Sequence, residues 1–104
     1  MKRSMKLEVV DRKRYSILKS MRIDSIYPVL DNEWHCIAGD LILIMNYKAG
    51  IVTVGIGETE HEAKDSISIV AKIPNLYRMR LKKLEVKSII EFMQWEIDEN
   101  NFID

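Results

Sequence analysis

Residues 41–73 decide the fold. They read Leu41-Ile42-Leu43-Ile44-Met45-Asn46-Tyr47, then Lys48-Ala49-Gly50, then Ile51-Val52-Thr53-Val54-Gly55-Ile56-Gly57, then Glu58-Thr59-Glu60-His61-Glu62-Ala63-Lys64-Asp65-Ser66-Ile67-Ser68-Ile69-Val70-Ala71-Lys72-Ile73. The first run is apolar on both alternating faces, as expected of a central strand. Lys48-Ala49-Gly50 is a short connection, and Gly50 can take the positive φ that a three-residue hairpin loop needs. The next run alternates, with Val52, Val54 and Ile56 on one side. Thr59, followed three residues on by Glu62, marks a capped helix start. Ala63, Ile67, Val70 and Ala71 recur at helical spacing, and Pro74 stops the run, so the pattern predicts strand, turn, strand, helix.

A two-stranded hairpin is barely stable alone, so further strands must join it. Met5 to Val10 reads as a strand. Residues 15–23 fit either a strand or a helix capped by Asp11. Ser25 to Leu30 is a strand with Pro28 inside it, which places it at an edge or a bulge. Asp31-Asn32 turns into a strand over Glu33 to Ala38, and Gly39-Asp40 turns into the central strand. After Pro74, one reading alternates Tyr77, Met79 and Leu81 with Arg78, Arg80 and Lys82 on a strand. In that reading Ser88 and Glu91 then box the start of a last helix. The other reading is a single helix from Asn75 to about Asn100. Either way residues 88–98 are helical, with Ile89, Ile90, Met93 and Ile97 toward the core. The expectation is a single α+β domain: a mainly antiparallel sheet of four to six strands carrying two or more helices.

The chain of 104 residues is long enough for a real core. No apolar run is long enough for a membrane span and no secretory signal is visible, so no membrane partner is expected. A single cysteine, Cys36, excludes an intramolecular disulfide and fits a cytoplasmic setting. Acidic and basic side chains number 16 each, yet they are segregated. Residues 1–22 carry eight basic and two acidic side chains, and residues 23–62 carry one and seven. Residues 63–87 carry seven and two, and residues 88–104 none and five. Adjacent segments of opposite sign can neutralise one another, or can form a two-signed docking surface.

No catalytic constellation, metal site or cofactor motif is read from the residues. His35, Cys36 and His61 are the only soft metal ligands, and they lack zinc-site spacing. His35 reads as an exposed strand residue, Cys36 as a buried small hydrophobe and His61 as a surface helix residue. His35 and Cys36, as strand neighbours, face opposite ways and cannot easily act as a base–thiol pair. Gly55-Ile56-Gly57 before a helix suggests a phosphate cradle, but Glu58, Glu60 and Glu62 there would repel an anion. The glycines read instead as steric relief where strand turns into helix.

Two binding surfaces remain. Trp95 projects from the last helix among Glu91, Asp98 and Glu99; it either covers another element of the same small domain or serves a protein partner with a basic surface. Trp34 reads as a cross-strand anchor in preference to a surface contact. Arg12 and Arg14, with Arg78, Arg80 and Lys82 on one strand face, form the alternative, a stripe for nucleic acid. Small size and segregated charge favour a non-enzymatic protein-binding module: an inhibitor, immunity protein or antitoxin of bacterial or phage type. A homodimer is also compatible, as is an enzyme site assembled across one.

The run Gly50-Ile51-Val52-Thr53-Val54-Gly55-Ile56-Gly57-Glu58-Thr59-Glu60-His61-Glu62-Ala63, with Tyr27-Pro28-Val29-Leu30, resembles the strand-to-helix joint and first strand of HicB-type antitoxins. The resemblance covers less than half the chain. The family's Pro-Asp-Leu-Pro-Gly segment is absent, two extra residues precede the helix, and no helix-turn-helix follows. It implies an antitoxin that blocks a small toxin.

Overall fold

In the computed structural model, residues 5–73 and 80–98 are described, the side chains of 97 and 98 excepted. The elements in order are β1 (Lys6–Val9), α1 (Arg12–Leu18), β2 (Ser25–Leu30), β3 (Glu33–Ala38), β4 (Leu41–Lys48), β5 (Ile51–Gly57), α2 (Glu60–Asp65), β6 (Ile67–Lys72) and α3 (Lys83–Asp98). The strands form one six-stranded sheet in the order β1-β6-β5-β4-β3-β2, antiparallel at every step. β4, apolar on both faces, is interior as its sequence predicts. β2 lies at one edge, with Pro28 and a register shift between Pro28 and Leu30. The fold is the expected α+β domain.

The hairpin loop is tighter than expected. Lys48 pairs directly with Ile51, leaving a two-residue turn in which Ala49 (φ 50°) and Gly50 (φ 80°) are both left-handed. Two positive-φ residues give the turn whose twist matches the flanking strands.

The largest departure follows α2. The helix expected to reach Ile73 ends at Asp65, and Ile67 to Lys72 form β6 between β5 and β1. Ile67, Ser68, Ile69 and Val70 satisfy a period of two as well as one of 3.6, and strand partners on both sides decide between them. Residues 15–23 resolve as the helix α1 and the turns after it. Asp11 Oδ1 accepts from the Arg14 amide at 3.1 Å. The third helix starts at Lys83, so Ser88 lies inside it and is not a cap. The Lys82 amide instead donates to Glu85 Oε1 at 2.9 Å, half of a capping box. Residues 80–82 are not a strand, and Arg78 falls outside the described residues.

One face of the sheet carries the core. Leu43, Met45, Val52, Val54, Ile56 and Ile69 pack there with Leu18 of α1 and Val86, Ile89, Ile90 and Met93 of α3. Each such side chain contributes roughly 1.5–3 kcal/mol on burial. Tyr15 Oη donates to the Met93 carbonyl at 3.1 Å and fastens the two helices together. Burial, then the Glu96 charge, pushes the Tyr15 phenol well above its usual range. Trp34 is buried opposite Met45, as an anchor should be. Cys36 is fully buried and burial pushes its thiol up to about 12, so it is an inert core residue.

The other face carries α2. It lies against β5 so closely that a Cβ on Gly55 would stand 1.8 Å from the Ala63 carbonyl oxygen. The cap is a variant of the expected box. Thr59 Oγ1 accepts from the Glu62 amide at 3.1 Å, while Glu62 Oε1 accepts from the Glu58 amide at 2.7 Å, one residue further back.

Candidate functional site

Among the described residues, three places hold chemistry or unpartnered surface. The first is beneath α2. His35, expected to be exposed, is only 2 % exposed, because α2 lands on its face of the sheet. Its Nε2 lies 2.7 Å from Glu33 Oε2 and its Nδ1 3.5 Å from Glu60 Oε1. Lys64 Nζ stands 3.5 Å from the same Glu33 oxygen. The Tyr27 ring covers the imidazole at a centroid distance of 5.8 Å. Burial alone would push the Glu33 carboxyl up. The His35 hydrogen bond and the Lys64 charge outweigh it and hold the carboxyl below the usual glutamate range. An ionised Glu33 only accepts hydrogen bonds, so His35 donates to it through Nε2. The pair is enclosed, and neither His35 nor Glu33 lines the groove described below. It reads as a structural polar network holding α2 to the sheet. His61, as expected, is on the surface, 3.1 Å from Asp65. Among the described residues no set of three His, Cys, Asp or Glu side chains comes together to hold a metal ion.

The second place is the edge formed by β2 and α3. The Leu81 amide donates to Asn32 Oδ1 at 3.2 Å, just past the end of β2. Gln94 Nε2 donates to the carbonyls of Leu18 and Met21, both at 3.0 Å, just before β2 begins. These ties run α3 antiparallel to β2 and leave a groove of about 690 Å³ between them. Its apolar lining includes Met21, Ile23, Ile26 and Ile90. Lys83 and Lys87 line it toward the Asn32 end, and Asp24 and Glu91 toward the Met21 end. Five of the eight large apolar side chains most exposed among the described residues belong to these two elements: Tyr27, Val29, Leu30, Leu84 and Trp95. Leu84 and Trp95 share the outer side of α3, and exposed apolar side chains on one side mark an interaction surface more than scattered exposure does.

No family model matches the chain, and neither a curated protein nor a solved structure matches it. The site must therefore be argued from its own residues.

Of the expected partner set, Trp95 is 48 % exposed and packs its ring 5.8 Å from Phe92, and Glu91 is exposed on the same side of α3. Asp98 is the last residue of α3 and Glu99 falls outside the described residues. The described members of the alternative basic set are not gathered into a stripe. Arg14 is turned inward, its Nη1 donating to the Ile56 carbonyl at 2.6 Å and standing 3.6 Å from Glu62. Arg80 pairs with Asp31 at 3.1 Å, Arg12 is exposed on α1 and Lys82 is exposed just before α3. These contacts join basic segments of the sequence to the acidic segment 23–62.

The third place went unread in the sequence. On the α2 side of the sheet, Lys48 pairs with Ile51, Ile51 with Lys72, and Lys72 with Lys6. Three exposed lysines thus share one cross-strand row, with no ion pair to any described residue. Like charges directly opposite, as at Lys6 and Lys72, are unfavourable. Strand spacing makes the row roughly 14 Å long. Asn46 and Thr53 stand in the next row, as does Glu8 at the edge. Only the alternation of each strand together with its register could have revealed it.

Proposed function

We propose that the protein is a non-enzymatic protein-binding module whose contact face is the β2–α3 edge. The observation that carries this reading is the open groove with Tyr27 in its lining and charges of both signs along it, beside a helix that exposes Leu84 and Trp95. Edge strands accept added strands, and grooves beside helices take apolar anchors, so the face suits a protein surface or an extended segment. Occlusion of a partner's working site is the mode of action this supports, in the manner of an inhibitor, immunity protein or antitoxin acting in the cytoplasm. Trp95 is the expected anchor. Trp95→Ala should weaken partner capture by the tagged full chain at least tenfold, the range of a central hot spot. Capture from nuclease-treated lysate of the source cells, quantified by mass spectrometry, measures this. An unchanged set of captured proteins for Trp95→Ala and Leu84→Ala would place the contact elsewhere.

A second reading rests on the lysine row. Lys6, Lys48 and Lys72, with Asn46 and Thr53 as neutral donors, form a surface suited to phosphate oxygens. It takes over the nucleic-acid role from Arg12, Arg14, Arg78, Arg80 and Lys82. Three phosphate contacts give a log–log salt slope of about −2 on single strands and about −3 on duplex. Titration of a labelled oligonucleotide at 20–200 mM salt, roughly the range where counterion release dominates, should show that slope. Lys6→Gln/Lys48→Gln/Lys72→Gln should abolish it. A triple variant that binds as the parent does would remove this reading.

A further inference from the structure

The exposed stripe of α3 has an order that reads as its own complement. Leu84, Lys87, Glu91 and Trp95 follow at spacings of three and four, so they share one side of the helix. Leu84 is 76 % exposed and Trp95 48 %. Lys87 and Glu91 are exposed, and neither has an ion pair to a described residue. The order is apolar, basic, acidic, apolar. Laid antiparallel against a copy of itself, the stripe sets Leu84 opposite Trp95 and Lys87 opposite Glu91, twice over.

The rest of the edge obeys the same operation. Among the described residues β2 has a neighbour on one side only, in β3. A two-fold axis normal to the sheet, outside β2, would pair β2 antiparallel with its copy. It would also bring both α3 helices to the same face, antiparallel to each other. The basic end of each groove, at Lys83 and Lys87, then meets the acidic end of the other, at Asp24 and Glu91. In an isologous interface one patch must satisfy itself in this manner. Pro28 and the register shift after it disturb strand pairing over the second half of β2. Strand contact is thereby limited to the stretch around Ser25 to Tyr27, and the helix stripe and groove carry the remainder.

We infer that the β2–α3 face is a dimer interface occupied by a second, antiparallel copy of this chain. The inference rests on the reading of that face as a protein-binding surface. A foreign partner taking the same face competes with self-association.

The test uses the full chain and two single charge reversals at exposed helix positions, Lys87→Glu and Glu91→Lys. Light scattering behind size exclusion at tens of micromolar protein should give the parent twice the chain mass. Each reversal alone puts like charges together at both contacts and should weaken the dimer at least tenfold. An equimolar mixture of the two should re-form a heterodimer, because every contact is again between opposite charges. Capture of the untagged variant by the tagged one reads this directly. Far-UV circular dichroism establishes that both variants are folded, and Lys83→Glu with Asp24→Lys serves as a second pair. A monomeric parent overturns the inference, and so does a mixture that stays dissociated or a reversal that dimerises as the parent does. If the parent is monomeric yet Trp95→Ala loses a foreign partner, the protein-binding reading stands without the dimer. If neither dimerisation nor capture depends on this face, both fall.

Discussion

Gly55→Ala should lower the stability of the protein by about 3 kcal/mol, the upper end of the range for forced overpacking. For a chain of this size that is a fall in thermal midpoint of roughly 10–20 °C. A glycine-to-alanine change ordinarily helps slightly, because the unfolded chain loses freedom. Here the new methyl meets backbone: 1.8 Å from the Ala63 carbonyl oxygen and 3.1 Å from that of Ser66. Neither atom can swing aside as a side-chain tip can. α2 must lift from β5, and with it go the contacts of Lys64 and Glu60 to the buried pair below. Gly57 is under similar constraint, with the Ala63 nitrogen 2.8 Å from its would-be Cβ. Thermal and urea unfolding followed by circular dichroism give the answer, and a Gly55→Ala midpoint within 2 °C or so of the parent, under about 0.5 kcal/mol, would contradict this packing.

His35→Ala is expected to be nearly as damaging, by about 2 kcal/mol near neutral pH. It leaves the enclosed Glu33 carboxylate without its shortest partner, and a stranded polar group costs more than the pair contributes. The pH dependence gives the sharper signature. Glu33 has a folded pKa below its unfolded one. Its ionised form therefore adds stability above the ordinary glutamate range, and that stability is lost as pH falls through the folded value. Removing the imidazole takes away the leading interaction that offsets burial, so the folded value rises. The acid limb of the stability curve should accordingly move to higher pH in His35→Ala. Glu33→Leu/His35→Leu should recover part of the loss, since no charge is left enclosed. Acid limbs that superimpose for His35→Ala and the parent would show that the pair does not hold Glu33 ionised.

These two variants also mark where the sequence could and could not be read. Strand β4, the Thr59 cap and the edge character of β2 were legible because each depends on local chemistry: alternation, a capping pair, a proline. The side of α3 that Trp95 and Glu91 share followed from helical spacing alone. β6 was not legible, because Ile67 to Lys72 suit either period and the deciding neighbours are Lys6 to Val9, far back in the chain. The burial of His35 was hidden for a similar reason. It depends on where α2 comes to rest, which Gly55 and Gly57 allow by having no side chain. A signal did exist: Glu33 and His35 alternate on one face with apolar Ile37, an odd pairing for open solvent. The groove beside β2 could not be foreseen, since Asn32 and Gln94 set the course of α3 through contacts distant in sequence.

The position of β1 bears on how the chain is made. β1 precedes the other five strands in the chain, yet among the described residues its one neighbour is β6, with Lys6 opposite Lys72. The meander from β2 to β5 closes through two-residue turns and can assemble while synthesis continues. β1 must wait until β6 has emerged, a delay of several seconds at about 5–20 residues per second. Through that interval Lys6 and Glu8 alternate with Leu7 and Val9 and keep the waiting strand hydrated. β1 is thus translated well before the strand it pairs with, and the six-stranded sheet closes only after β6 has been polymerised.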